Sequence, residues 1–508
     1  MVLTAGGRGR NQGSAMSHEQ CSGCSEYLQL SRRQFLAAGG GTALALGLPA
    51  WLPRVALAQE YCSNRDVLVS VFLRGAADGL TTCVPHAEDD YYNARPTLAI
   101  PRPDSADPNR VTDLDGFFGF PPAMTPLLTA YNAGHLLIVH ASGSKSGTRS
   151  HFDAMRFMEV GRPGDPNLFT GWLGRHLATA PPLNPAAILR AVGIGYGLQQ
   201  TLHSAPKALP VPNLADFGLA GNPATAAARM TALQDMYSLV ADPVKTAAQT
   251  TQATIDLLGT IDFANYTPQG GAIYPQDDFG FAMKSTAALI KADVGVEAVA
   301  IDIPGWDTHN GQGPIQGVMA ELMTTLATSL AAFHLDIFAG NGRNVTVLVM
   351  SEFGRRVGEN GSDGTDHGHG NAMFLLGRNI SGGRVLTQWP GLNPAQLFEG
   401  IDLQVTIDFR DVLAEIVLRR LGNPNLDIIF PGYTPIFRGV TDSCGRADMN
   451  CDGAATVDDA APFVQALTDA PGYIADHAGC NISNADVNND GRLDSADIQG
   501  FTQAILAP

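Results

Sequence analysis

Basic residues are scarce in this 508-residue chain: 32 Lys and Arg stand against 49 Asp and Glu, a net charge of −17. No basic stripe runs along it, which excludes a phosphate backbone as partner. Charged residues of both signs make up only 16% and apolar residues 45%, with 56 Gly and 32 Pro. That composition belongs to a compact, loop-rich globular protein and not to a disordered one. The seven cysteines are too few and too scattered for a disulfide scaffold. Cys21 and Cys24 form one C-x-x-C without the second pair a zinc site needs. The other five, Cys62, Cys83, Cys444, Cys451 and Cys480, are odd in number, so one thiol stays unpaired or pairs between chains. Cys62 with Cys83 and Cys444 with Cys480 are the plausible bridges in an oxidising compartment.

Long apolar runs are also missing. Beyond the N-terminus no stretch reads as transmembrane, so the exported form is not an integral membrane protein. Residues 1–58 read as an address. Ser31-Arg32-Arg33-Gln34-Phe35-Leu36 precedes the weakly apolar Ala37 to Ala50, and Val55-Ala56-Leu57-Ala58 is an A-x-A cleavage site before Gln59. This resembles a twin-arginine export signal, which implies a folded cargo delivered to the periplasm, the cell surface or the medium. Cleavage there removes five Arg and two Glu and leaves the exported form more acidic still.

From Asp66 to about Arg438, short β-branched runs alternate with Ala- and Leu-rich helical stretches. The alternation predicts an α/β domain over residues 59–440 with a largely parallel sheet. Strands are expected at Val67 to Leu73, Leu136 to His140, Val296 to Ile303 and Val345 to Met350. Ala224 to Ile261 reads as a helical layer, and Ile315 to Phe338 and Asp408 to Leu421 read as helices.

Composition shifts near Ser443, and residues 444–508 carry ten Asp against two Arg. Asp448, Asn450, Asp452, Gly453, Thr456 and Asp459 hold positions 1, 3, 5, 6, 9 and 12 of a twelve-residue loop, with Ala454 at position 7. Thirty-eight residues on, Asp486, Asn488, Asp490, Gly491, Asp494 and Asp497 repeat the register, with Arg492 at position 7. Calcium takes six to eight oxygens, and alternate side chains with the position-7 carbonyl bring them to one point while Gly turns the chain. Two such loops in register predict two calcium ions. Asp instead of Glu at position 12, and a poor incoming helix, resemble a type I dockerin, a small α-helical EF-hand-like module. That resemblance covers only the last 65 residues and implies docking to a cohesin-like protein or a surface scaffold.

Four polar clusters lie where strands should end, the usual place for a site in an open α/β sheet. Asp78 follows the first strand, and Thr148-Arg149-Ser150-His151 opens a helix. Gly305-Trp306-Asp307-Thr308-His309 follows a third strand, and Ser351-Glu352-Phe353-Gly354-Arg355 closes a fourth, shortly before Gly364-Thr365-Asp366-His367-Gly368-His369-Gly370. Ser150 or Thr148 at a helix N-terminus is the best nucleophile candidate. His151 is placed to serve the leaving group and Arg149 to hold an anionic ester. His140 reads as a satisfied strand-end histidine, Trp306 as packing, and Arg355 and Arg356 as solvated. The bland reading of Ser150 is a helix cap.

In order, these words resemble the bacterial family labelled domain of unknown function 1501, over roughly residues 60–440. The family is similar in turn to the alkaline phosphatase and sulfatase superfamily. The resemblance implies an alkaline phosphatase-like sheet with helices on both faces and one or two divalent metals. It carries metal-ligand roles onto Asp78, Asp307, His309, His367 and Glu352. Phe353 falls where the second metal's His would be, so Asp366 or His369 would have to substitute. The expected function is an exported metal-dependent hydrolase of sulfate or phosphate esters, with a polysaccharide as a candidate carrier of the ester. Its rival is a non-catalytic surface or assembly protein that kept the fold and lost a metal.

Overall fold

The computed structural model describes residues 65–219, 221–339, 344–441, 447–450, 455–477, 482–488 and 493–506. The expected export leader, the cysteines other than Cys83, and the expected calcium-loop residues Asp452, Ala454, Asp490 and Arg492 lie outside the described residues.

Among the described residues eleven strands occur in chain order: β1 Val67–Leu73, β2 Thr112–Asp113, β3 Gly119–Phe120, β4 Leu136–Gly143, β5 Ala191–Ile194, β6 Ala208–Pro210, β7 Ala298–Ile303, β8 Val345–Ser351, β9 Asn371–Leu376, β10 Arg384–Leu386 and β11 Ile407–Asp408. Nine form one sheet in the order β10-β4-β9-β8-β1-β7-β5-β6, with β11 also beside β4. All pairings in it are parallel except those of β9 with β4 and β8. β1 lies between β8 and β7, all seven of its residues buried. Its alternate residues serve opposite cores, as the period of a strand requires. Val67, Val69, Val71 and Leu73 face one core with Met283, Met323 and Phe333. Leu68 and Phe72 face the other with Trp172, Phe409 and Val412.

The helices expected on these faces form. Asp408 caps the helix Phe409–Arg419 through its side chain. The helix Val318–Phe338 is the one among the described residues long and apolar enough to cross a bilayer, but its Met319, Met323, Leu326 and Phe333 are packed in the first core. Ala224 to Ile261 yields two helices, Ala226–Ser238 and Val244–Gly259, the first burying none of its side chains.

Three expectations are corrected. Cys83 is a free thiol, 0% exposed within the first core, so it forms no bridge to Cys62. Asp78, expected as a metal ligand, is engaged by a buried arginine instead. It caps the short helix Gly79–Thr82 and pairs with both terminal nitrogens of Arg95, at 2.6 and 3.1 Å, while Gln312 and Thr81 donate to it. Both partners are 0% exposed. Burial alone would raise this carboxyl, but the Arg95 charge and hydrogen bonds hold it below the ordinary range. Arg355, expected in solvent, is 1% exposed. Trp306 and His140 stand as expected. The indole is fully buried, and His140 Nε2 lies 3.0 Å from the Cys83 carbonyl.

In the C-terminal module the helices Ala460–Thr468 and Asp497–Ile505 follow the two loops. Phe463 and Phe501, equivalent in the repeat, stack at 3.9 Å with an interplanar angle of 8°. Arg419, at the end of a sheet-packed helix, reaches the module and donates to Asp486 at 2.8 Å.

Burial pushes the imidazoles of His140 down to about 4 and, with Arg65 and Arg190 nearby, of His176 to about 3. Both fold as neutral rings, whereas the unfolded chain protonates near the free value of about 6.5. Their contribution to stability is therefore complete above that pH and is lost progressively as pH falls toward the folded values. Melting temperature should drop by several degrees between about pH 7 and about pH 5, and less steeply in His140→Gln. An equal slope in the variant contradicts the assignment to His140.

Candidate metal centre

The site forms where β1, β7 and β8 end side by side. Each strand delivers a loop at the same edge, and the turn Gly364–Gly370 folds back onto them. Gly75 has φ +117, and a Cβ there would meet the Asp307 nitrogen at 2.6 Å. A Cβ on Gly354 would meet the Gly370 carbonyl at 1.8 Å. Glycine is required at both because two backbones touch.

Arg355 stitches these loops together. Its guanidinium donates to the carbonyls of Gly75, Ala76, Trp306 and Thr365, and at 2.6 Å to Asp307 Oδ1. Desolvation would raise the Asp307 carboxyl, but this hydrogen bond and charge, with His309, keep it below the usual carboxylate range.

Three histidines converge on Asp307. His151, the first residue of the helix His151–Val160, places Nε2 2.8 Å from His367 Nε2. His309 Nε2 lies 2.9 Å from the same nitrogen and 3.1 Å from Asp307 Oδ1, and His367 Nε2 lies 3.2 Å from that oxygen. Ligand atoms of His151, Asp307 and His367 all lie within 4.8 Å of one another.

The outer nitrogens fix the tautomers. His151 Nδ1 faces Glu352 Oε1 at 2.7 Å, His309 Nδ1 faces Asp366 Oδ1 at 3.1 Å, and His367 Nδ1 faces the Arg149 carbonyl at 3.0 Å. Each of these partners is an acceptor, so each Nδ1 carries the proton. The neutral rings then turn three Nε2 lone pairs toward one another and toward a carboxylate. Acceptors gathered in this way repel one another unless a proton or another cation lies between them, and an outer-nitrogen hydrogen bond on each ring is the usual arrangement of metal-ligating histidine. Without a metal the charge falls to a proton: the Glu352 hydrogen bond, against some desolvation, raises the His151 pKa, whereas burial and the neighbouring His151 and Arg355 lower that of His367.

The remaining candidates take other places. Glu352 is 1% exposed and is used up by His151, the Gly75 amide and the Ser351 hydroxyl. It supports the cluster from behind. Asp366 supports His309, with Asn360 donating to it at 3.1 Å. His369 points away and stacks on Phe398 at 4.1 Å, where burial pushes it down to about 4. Phe353 packs against the rings of His151 and His367 at 5.0 and 5.1 Å. His151 thus stands beside His367 where a further nitrogen was expected, while Asp366 is bonded to His309 and His369 is stacked on Phe398. Ser150 acts as the cap, accepting from the Asp153 amide at 3.5 Å, and Thr148 accepts from the Ser150 amide at 3.2 Å. The Arg149 guanidinium is held by Asp402 and Glu399 and is not free to grip an ester, but its carbonyl orients His367. Arg355 and Asn360 are the residues sequence reasoning missed. Arg355 was visible inside its word, and only its burial was not.

In the two acidic loops expected to bind calcium, Asp459 accepts from the amides of Met449, Asn450 and Thr456 at 2.6, 2.9 and 2.7 Å. Asp497 accepts from Asn488 and Asp494 at 3.2 and 3.0 Å. The position-12 carboxylate therefore gathers the amides of positions 3 and 9 in both loops. Asp448 and Asp486, at position 1, are buried at 5% and 1% exposure.

No curated protein matches the chain. The solved structure of a 2-O GAG sulfatase is similar at 9% identity, with 63% of this chain and 66% of that one covered and a TM-score of 0.30. The chain thus spans just under two thirds of that sulfatase. Residues 65–422, which include every loop of the cluster, match the family described as "Protein of unknown function (DUF1501)", and the chain belongs to that family.

Proposed function

We propose that this protein is an exported hydrolase of sulfate or phosphate esters that works with one divalent metal ion held by His151, Asp307 and His367. The observation that carries the reading is the convergence of acceptor nitrogens, each with its outer nitrogen already donating, on one carboxylate. Three protein ligands leave a position open, as catalytic metal sites do and closed structural ones do not. A bound divalent ion supplies Lewis acidity toward an ester oxygen and acidifies water.

The chain's own groups divide the remaining work. Glu352 and the Arg149 carbonyl hold the ligand rings in one tautomer and one orientation, and Arg355 fixes Asp307. His309, backed by Asp366, is the base that takes a proton from the attacking water. The Ser150 hydroxyl is engaged as a cap, so water is the nucleophile this arrangement favours. A single ion is preferred to two because Asp78 is bound to Arg95 and Glu352 is spent on hydrogen bonds. Twin-arginine export and a dockerin-like tail complete the reading: the tail binds two calcium ions and holds the enzyme to a cohesin-like protein or surface scaffold.

Two measurements test this. Purified protein should carry about one transition metal per chain and release nitrophenol from a phosphate or sulfate ester. His367→Ala should lose the metal, whereas His309→Gln should keep it and lose at least about tenfold in kcat. Full turnover in either variant, or a metal-free wild type, contradicts the proposal. Calorimetric titration should find two calcium ions per chain, and none after joint substitution of Asp459→Ala and Asp497→Ala. Undiminished calcium binding by that double variant would refute the loop assignment.

A further inference from the structure

A second feature opens at the same edge of the sheet. A cleft of about 890 Å³ lies where β5 and β7 end, lined by Ile194 to Tyr196 from one strand and Ile301 to Pro304 from the other. Only Gly305 and Trp306 separate Pro304 from Asp307. Three Cα steps of 3.8 Å put Asp307 at most about 11 Å from that end of the cleft. That span is comparable to the length of a disaccharide.

The lining says what kind of ligand. Tyr196 is 97% exposed and Phe281 49%, while Phe263 and Phe279 form a buried part of the wall. Two exposed rings on one cleft form an apolar patch of the kind that marks a ligand-binding groove. Between them lie polar groups of both kinds, with three carboxylates beside the donors Asn213, Ser285, Thr325 and Lys284. Asp277, Asp278 and Asp302 face the cleft with Lys284, and no arginine is among the described residues that line it. Asp302 is already paired with Arg74 at 2.9 Å, and Asp277 is bonded to Gly280 and Thr325. A chain of sulfated or carboxylated units would meet these carboxylates without a guanidinium fork to receive it. An uncharged sugar meets the opposite situation: its C–H face lies on an aromatic ring and its hydroxyls donate to carboxylate and amide oxygens.

We infer that this cleft is a subsite for neutral sugar rings, so that the substrate is a largely uncharged glycan bearing an isolated anionic ester. The link to an ester rests on the hydrolase reading above; the binding of sugar does not. Tyr196 is the specificity-determining residue, and its exposure makes Tyr196→Ala harmless to the fold.

The test is affinity electrophoresis of the full exported chain through gels containing xylan, galactomannan, hydroxyethyl cellulose or chondroitin sulfate. At least one neutral polysaccharide should retard the wild type, Tyr196→Ala should weaken that retardation at least tenfold, and Asp307→Asn should leave it unchanged. Retardation by chondroitin sulfate alone, by none of the neutral polymers, or equally in Tyr196→Ala overturns the subsite. Sugar binding that persists in a protein without metal or turnover would defeat the hydrolase reading and spare the subsite. Metal and turnover without Tyr196-dependent binding would do the reverse.

Discussion

The candidate site depends on one buried guanidinium. Arg355 reaches the carbonyls that end β1 and β7, the carbonyl of Thr365 in the returning turn, and the carboxylate of Asp307. A charge taken out of water is tolerated only when nearly all its donors are satisfied. Arg355 therefore forces three loops to close around it. In doing so it brings Asp307 to His309 and His367, and fixes the turn on which His367 stands. The two glycines where backbones touch, Gly75 and Gly354, are the steric counterpart of the same closure.

The cluster that results has a single focus. Of the carboxylates that could have served a second ion, Asp78 is committed to Arg95 and Glu352 to the backbone and to His151. Phe353 fills with an aromatic ring the place beside Glu352 where the family resemblance leads one to seek a nitrogen. An apolar ring under two imidazoles restricts their motion and lowers the local dielectric, which strengthens whatever charge they share. The polar half of the site is thus one Asp with three His, and the support behind it is unusually complete: every outer nitrogen has its own acceptor.

Much of this was legible in the chain. The strands expected at Val67 to Leu73 and at Val345 to Met350 appear, the second one residue longer, because apolar burial dictates them locally. Asp307, His309 and His367 could be picked out because polar residues directly after apolar strands must end at one edge of the sheet. Asp78 misled because its partner Arg95 lies seventeen residues away, and no local pattern announces a buried pair of that kind. Arg355 misled because two adjacent arginines look alike in sequence, and only the loops that fold over the first decide that it turns inward. His151 was seen but given a different task, since spacing does not tell which way a ring at a helix N-terminus points.

The central claim is that a cation belongs between these acceptors, and diffraction tests it most directly. Crystals of the protein, purified without chelator and measured on either side of transition-metal absorption edges, should give one anomalous peak bounded by His151 Nε2, His367 Nε2 and Asp307. An ordered cluster with no anomalous peak, or a peak at Asp78 instead, would contradict the account.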